Sequence, residues 1–203
     1  MKFPSTIPRT FYQRHPKKVA RDLLGCFIVR NYHGELLVGK IVETEAYLST
    51  PDDPASHGYK PQSPRTHSLF GEAGHAYVTN VHKYMIMNVV TESHNQPSAV
   101  LIRALEPIEG IKTMKELRDK ENIIELTNGP GKLALALGIT RELDGIDVTD
   151  FQSEVYFLER NQEFNESIIT TERIGISKAQ DLLLRFYMKN NPWVSGSKKN
   201  NLI

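Results

Sequence analysis

Apolar and polar positions change period several times along the chain, and each change marks an element. From His15-Pro16 the residues Val19, Leu23 and Leu24 recur at helical spacing until Gly25, with Pro at the first turn, which predicts a short amphipathic helix. Residues 26–30 run apolar as a strand, Asn31-Tyr32-His33-Gly34 reads as a turn, and residues 35–48 form the longer arm of a hairpin. The period is then lost over residues 49–75, where Pro51, Pro54, Pro61 and Pro64 lie among Gly and Ser; a long loop is expected there, walling a site rather than linking domains. Extended pattern resumes over residues 74–91, and residues 99–104 make an apolar strand interrupted by Arg103 and ended at Glu106-Pro107. Ile108, Ile111, Met114 and Leu117 repeat at helical spacing, and Thr127-Asn128-Gly129-Pro130-Gly131-Lys132 leads into a short helix that stops at Gly138. Strands over residues 155–160 and 167–176, then a short helix or bent strand over residues 179–187, complete the pattern, and residues 196–203 read as a loose basic tail. Hairpin-linked strands with flanking helices, without regular βαβ alternation, predict one α+β domain over the whole chain.

The arm Val42-Glu43-Thr44-Glu45-Ala46-Tyr47-Leu48 interrupts this scheme. Side chains alternate on a strand, so Val42, Thr44, Ala46 and Leu48 share one face while Ile41, Glu43, Glu45 and Tyr47 share the other. An unpaired buried carboxylate costs several kcal/mol, so acids here face water at a sheet edge, meet a cation, or line a cleft. Arg103 poses the converse problem: it stays charged and requires an acceptor, for which Glu45 or Glu43 is the natural candidate.

Composition narrows the chemistry. With 203 residues, 39% hydrophobic and 24% charged, the chain can bury a sizeable core and has the profile of a soluble globular protein. The start MKFPSTIPRT lacks an apolar signal core, no run is long enough to span a bilayer, and the single Cys26 fits a reducing compartment, so a cytoplasmic location is expected. A net charge of +1 leaves only local basic faces, such as Arg14, Lys17, Lys18 and Arg21, or Lys198 and Lys199. Five of the seven His fall between positions 57 and 94, yet neither H-x-x-x-H nor H-E-x-x-H occurs and no second Cys is present, so neither a metal nor a cofactor is expected. Gly129-Pro130-Gly131-Lys132 lacks the spacing of a nucleotide-triphosphate loop, though Gly131 and Lys132 at a helix start could hold a polynucleotide phosphate.

Two chemistries survive. Glu43 and Glu45 lie about 6.6 Å apart by strand rise, at the near end of the acid spacing of an inverting glycosidase, which makes a sugar-directed hydrolase one alternative. Tyr47, His57, Tyr59, Arg65, Phe70, Tyr77, His82, Lys83 and Tyr84 instead mix rings with cations, a set suited to a nucleobase and its phosphate, whether in an enzyme or in a non-catalytic nucleic-acid module.

Beyond these local readings, seven ordered blocks resemble the alkyladenine (3-methyladenine) DNA glycosylase family: the Val42 to Leu48 run, His57, Tyr77-Val78, Met87-Asn88-Val89, Leu101-Ile102-Arg103-Ala104-Leu105-Glu106-Pro107, Gly129-Pro130-Gly131-Lys132-Leu133 and Pro192-Trp193-Val194-Ser195. The resemblance spans nearly the whole chain. It implies a curved antiparallel or mixed sheet with flanking helices, no metal or cofactor, and hydrolysis of the N-glycosidic bond of alkylated or deaminated purines (3-methyladenine, 7-methylguanine, hypoxanthine) in double-stranded DNA by a monomeric, monofunctional enzyme without lyase activity. By the same resemblance Glu45 is the general base for water attacking the sugar C1′, Arg103 positions it, Tyr47 and His57 wall the pocket around a flipped base, and Asn88 opposes normal guanine. Two positions depart from the pattern of the family's better-studied vertebrate members: Thr79 stands where those place a pocket Tyr and His82 where those place a wedge Tyr, with one residue fewer before Asn88. Lys83, Tyr84, Arg65, Gly131 and Lys132 fall to the DNA backbone side.

Overall fold

A computed structural model describes residues 4–160 and 164–196. Apart from Gly196, the expected loose tail lies outside these residues, as do Lys198 and Lys199.

A single α+β domain is built on one antiparallel sheet. Its main path runs β3 (Ala76–Val81), β4 (Tyr84–Thr91), β5 (Ser98–Glu109), β2 (Glu35–Tyr47), β1 (Phe27–Tyr32) and β6 (Val155–Leu158). Two further strands, β7 (Ile168–Thr171) and β8 (Arg185–Met188), pair with each other, and β8 also pairs with β2. The hairpin expected at residues 26–48 is β1–β2, in register from Phe27↔Lys40 to Tyr32↔Glu35.

β2 organises the sheet because it has more neighbours than two edges ordinarily allow. Along one edge it follows β5, while its other edge pairs with β1 up to Lys40 and with β8 from Glu43 to Glu45. The change of partner coincides with two irregularities in the β2–β5 ladder. Pairing steps from Ile41↔Leu105 to Glu43↔Ala104 and then to Thr44↔Ile102, so Val42 and Arg103 are each an extra residue without an opposite number. Such bulges bend the strand and re-aim the side chains beside them. Both edges of β2 are therefore paired, and the sheet-edge reading of the acids is corrected: every residue from Ile41 to Ala46 is buried.

The helices close the core on one side. α2 (Pro16–Asp22) starts with Pro16 after the His15 cap and lies against β2, where Thr44 Oγ1 donates to the Ala20 carbonyl. α5 (Pro130–Ala136) rests on β4 and β5 and ends before Gly138 as expected, while α3 (Ile111–Arg118) and α4 (Ile124–Thr127) pack on α5. A short α1 (Arg9–Tyr12) completes the set by burying Tyr12.

Other boundaries move. β5 does not end at Glu106-Pro107 but continues to Glu109, since Pro107 stands opposite Gly39 beside a further register shift, where a missing N–H costs little. The following helix accordingly starts at Ile111, leaving Ile108 half-exposed. Between Ile176 and Leu184 there are bends and one turn but no helix, and the strand expected over residues 167–176 shortens to Ile168–Thr171.

Candidate active site

One row of directly opposed residues crosses the sheet: Tyr77 (β3), Asn88 (β4), Leu101 (β5), Glu45 (β2), Arg185 (β8) and Thr171 (β7). Opposed residues on antiparallel strands present their side chains to the same face, so this register alone gathers residues distant in sequence. Over the row opens a cavity of about 630 Å³. Its inner wall is apolar, from Leu69, Ile86, Ala99 and Leu101, and its polar groups include Tyr47, Thr79, Asn88 and Arg103. Segments 54–57 and 174–178 form the sides, and Val81, His82 and Pro130 add to the lining. The long proline-rich loop thus walls a cavity as expected. It is held close there at Gly58, where an added Cβ would collide with the Pro97 carbonyl oxygen.

Behind this wall lies a buried charge cluster. Glu45 is fully buried: its Oε2 accepts from the Tyr47 hydroxyl at 2.9 Å and pairs with Arg103 Nη1 at 3.1 Å, and its Oε1 accepts the Ile174 N–H at 2.8 Å. Glu43, also fully buried, is held more completely. Its Oε1 accepts from Arg185 Nε at 2.6 Å, Ser195 Oγ at 2.8 Å and Arg103 Nε at 2.9 Å, and its Oε2 from the Ser195 N–H at 2.7 Å. Arg103 therefore takes both candidate acceptors at once. Beyond Tyr47, Arg173 forms a two-pronged pair with Asp53, at 2.6 and 2.8 Å. Three carboxylates face three guanidiniums, each residue at most 5% exposed, so the cluster is electrically balanced inside the protein.

Titration directions follow from these contacts. Burial alone raises the Glu43 pKa, but Arg103, Arg185 and the Ser195 N–H outweigh it and bring the carboxyl below its ordinary value. A carboxylate so stabilised is poorly suited to donate a proton near neutrality, which removes the acid partner that a Glu43/Glu45 sugar hydrolase requires. Burial lowers the Arg103 pKa, yet Glu45 and Glu43 more than reverse this, and the net shift is upward. The Tyr47 phenol is raised by burial and by Glu45, and remains a donor.

The pocket side is held by backbone and by neighbours. His57 Nδ1 and the Tyr77 hydroxyl share a hydrogen bond at 2.7 Å with their rings edge to face. Partial burial of the imidazole lowers its pKa, as do Arg65 and Lys60, which favours the neutral form of His57. Asn88 Nδ2 donates to the Tyr77 carbonyl at 3.0 Å, which fixes the orientation of the amide in the wall. Thr79 is fully buried, and Arg65 Nε reaches its hydroxyl at 3.4 Å while another arm of Arg65 donates to the Asn80 carbonyl.

His82 and Lys83 are the two central residues of the β3–β4 turn, closed by Val81↔Tyr84, with His82 at φ 51°. All four of these residues are exposed. Val81 and His82 line the cavity, whereas Lys83 and Tyr84 do not and pair with each other, the Lys83 ammonium standing 5.3 Å from the Tyr84 ring centre. Gly131 allows α5 to touch this turn, since a Cβ there would come within 2.9 Å of Tyr84 Cβ, and Lys132 Nζ donates to Asn128 Oδ1 at 2.8 Å. None of Arg65, Lys83, Tyr84, Gly131 and Lys132 is among the residues that line the cavity.

Several site residues escaped the sequence reading. Arg185 and Ser195 clamp Glu43, Arg173 and Asp53 brace Tyr47, and Lys60 and Lys178 line the cavity as exposed cations. For Arg185 the signal was present: it interrupts the apolar run Leu182-Leu183-Leu184-Arg185-Phe186-Tyr187 just as Arg103 interrupts its strand. Among the described residues no three His, Cys, Asp or Glu are grouped so as to hold a metal ion, and no helix is long and apolar enough to cross a membrane.

Comparison with known proteins gives the same picture over nearly the whole chain. The methylpurine-DNA glycosylase family matches residues 10–192. A protein of Carboxydothermus hydrogenoformans, provisionally named a 3-methyladenine DNA glycosylase, is 46% identical over 190 residues, which cover 93% of this chain and 98% of that one. Relatives given the same provisional name are 44% identical in Methanoculleus marisnigri, over 94% of this chain and 98% of theirs, and 39% identical in Herpetosiphon aurantiacus, over 94% and 89%.

Proposed function

The chain belongs to the methylpurine-DNA glycosylase family, and from that premise we propose that it acts as a monomer on duplex DNA, flipping alkylated or deaminated purines into the cavity and hydrolysing their N-glycosyl bonds. A base stacked in a duplex hides its C1′, so extrusion precedes chemistry, and damaged or mispaired bases cost less to extrude. Tyr47 and His57 wall the base, Thr79 leaves more room than an aromatic residue, and Glu45 takes the proton of the attacking water.

The observation that carries this reading is the hydrogen-bond inventory of Glu45. An ionised carboxylate has about four acceptor sites. Tyr47, Arg103 and the Ile174 N–H occupy three, leaving one on Oε1. A water meeting that oxygen can be deprotonated by it, while Arg103 keeps the carboxylate in place. Since Glu45 is fully buried in the free protein, base entry has to displace Tyr47 or segment 174–178 enough to admit the water. Hydrolysis of this kind leaves no covalent adduct, and Lys60 and Lys178 serve as exposed cations for phosphates. The test is release of hypoxanthine or 3-methyladenine from a duplex carrying one lesion, compared with the undamaged duplex, with borohydride added in parallel to trap any Schiff base. Full binding without base release would favour a non-catalytic module, and a trapped adduct would end the monofunctional assignment.

Asn88 is assigned to excluding guanine. Its amide is tethered to the Tyr77 carbonyl and cannot swing away from an exocyclic amino group. Asn88→Ser is expected to admit guanine from a G·T mispair while changing hypoxanthine release by less than about tenfold, the scale of a small change in pocket fit. Guanine release that stays undetectable removes this role.

His82 is assigned to filling the gap left by the flipped nucleotide. An inserted side chain offsets part of an unstacking cost of a few kcal/mol, a cost absent from single strands. His82→Ala is therefore expected to slow release from duplex DNA by about tenfold or more, equivalent to about 1.4 kcal/mol, with little change on a single strand. His82→Tyr retains or improves duplex activity. Equal losses on both substrates would place His82 in the pocket instead.

A further inference from the structure

We propose that Arg173 is a positioning residue for base release, setting both the aromatic wall and the general base through one buried guanidinium, with Asp53 as its anchor. The proposal rests on the glycosylase reading above and adds a residue to it. Arg173 sits immediately before the segment that forms one side of the cavity, and Asp53 immediately before the segment that forms the other. Their side chains are fully buried against each other, with Arg173 Nη2 on Asp53 Oδ1 at 2.6 Å and Nη1 on Oδ2 at 2.8 Å. Nη1 also donates to the Ala46 carbonyl at 3.1 Å, and Asp53 Oδ2 accepts the Leu48 N–H at 2.9 Å. The pair thus ties both walls to the backbone flanking Tyr47.

Two consequences reach the reacting groups. The Arg173 guanidinium lies 4.6 Å from the centre of the Tyr47 ring, and since Tyr47 lines the cavity while Arg173 does not, the cation supports the ring from behind. The next N–H along the chain, that of Ile174, is the donor to Glu45 Oε1. A displacement of Arg173 therefore moves the stacking surface and the carboxylate together. Its Nε has no partner among the described residues, and leaving a buried guanidinium N–H unpaired is a costly way to gain stability alone. A fixed geometry is a better account of it.

The test uses the full chain and three variants: Arg173→Met, Arg173→Lys, and Arg173→Met combined with Asp53→Asn, which leaves no unpaired buried carboxylate. Release of hypoxanthine is followed in single turnovers below each variant's melting temperature. In parallel, a duplex carrying 2-aminopurine opposite thymine reports, by quenching, stacking of the flipped base without any bond being cleaved. Misplacement of reacting groups by about 1 Å costs on the order of 100-fold. The expected result is a loss of that size in the release rate for Arg173→Met and for the double variant, with affinity for undamaged duplex within about threefold of wild type, a margin under about 0.7 kcal/mol. Arg173→Lys keeps a charge over the ring but loses the fork, and recovers part of the rate. Release within threefold of wild type in the double variant overturns the proposal, as does a loss that merely follows the unfolded fraction. If wild type itself releases no base, the glycosylase reading fails and the quenching decides: unchanged quenching in the double variant overturns the Arg173 role, and lost quenching retains it as a base-stacking device.

Discussion

Glu45→Gln is expected to reduce base release by about 10²- to 10⁴-fold, the range over which a positioned general base acts, while the variant still binds lesion-containing duplex. The amide keeps the shape of the carboxylate but cannot accept the proton of the attacking water. Its cost in structure follows from the contacts of Glu45. Arg103 and the Tyr47 hydroxyl both donate to one oxygen and the Ile174 N–H donates to the other. A glutamine offers one acceptor and one donor, so whichever way it turns, an N–H faces an N–H. The arrangement with its oxygen towards Arg103 and Tyr47 keeps the stronger pair and turns the amide nitrogen against Ile174. Segment 174–178 is then expected to loosen, and quenching of a flipped 2-aminopurine provides the control that separates lost chemistry from lost stacking. Single-turnover release within about tenfold of wild type would show that another group takes the proton.

The acid-bearing arm is also where the sequence was most informative. Alternation along Val42-Glu43-Thr44-Glu45-Ala46-Tyr47 correctly placed both acids and the phenol on one side, because Glu43, Glu45 and Tyr47 meet around Arg103 while Thr44 turns to α2. The rule that a buried guanidinium requires an acceptor found the right pair of elements. What alternation cannot express is the sheet around the strand. A period of two reports which residues share a face, not which strands pair at each edge, so the choice between water, a cation and a cleft for the acids stayed open, because the arrival of β8 at Glu43 to Glu45 is a long-range event. The bulges at Val42 and Arg103 are equally silent in a local pattern, since each arises from a mismatch between two strands. Asp53 and Arg173 were missed for the same reason. Asp53 lies in the long loop, where a charged residue ordinarily faces water, and Arg173 just beyond the end of β7, and only their pairing makes them core. Legibility failed where a residue's environment is supplied by another part of the chain.

That dependence is sharpest at Glu43, where the second large effect is expected, on folding rather than on chemistry. Four donors converge on its carboxylate: Arg103 Nε, Arg185 Nε, and the Ser195 hydroxyl and N–H. Removing the charge leaves the buried Arg185 without an anion and Arg103 with Glu45 alone, and breaking a buried pair in this way costs about 3–5 kcal/mol. For Glu43→Gln in a domain of this size the melting temperature is expected to fall by about 6–20 °C. Replacing Arg185 with Met in the same chain is expected to recover part of the loss, since one unpaired cation is removed with the anion. The pH dependence provides an independent sign. Glu43 is held below its ordinary pKa in the folded state, so its contribution is present above the unfolded carboxylate value, about 4.3, and is lost as pH falls from there through the depressed folded value. Wild type is therefore expected to lose stability on acidification through that window, and Glu43→Gln to show a flatter profile across it. Base release measured below the variant's melting temperature is expected to fall less than in Glu45→Gln, because Arg103 keeps Glu45 as its remaining partner. Chemical denaturation at pH 7 and below pH 4 checks both expectations, and a variant within about 1 kcal/mol of wild type, the central value for an ordinary substitution, would mean that the guanidiniums find other acceptors and that Glu43 does not hold this corner of the sheet together.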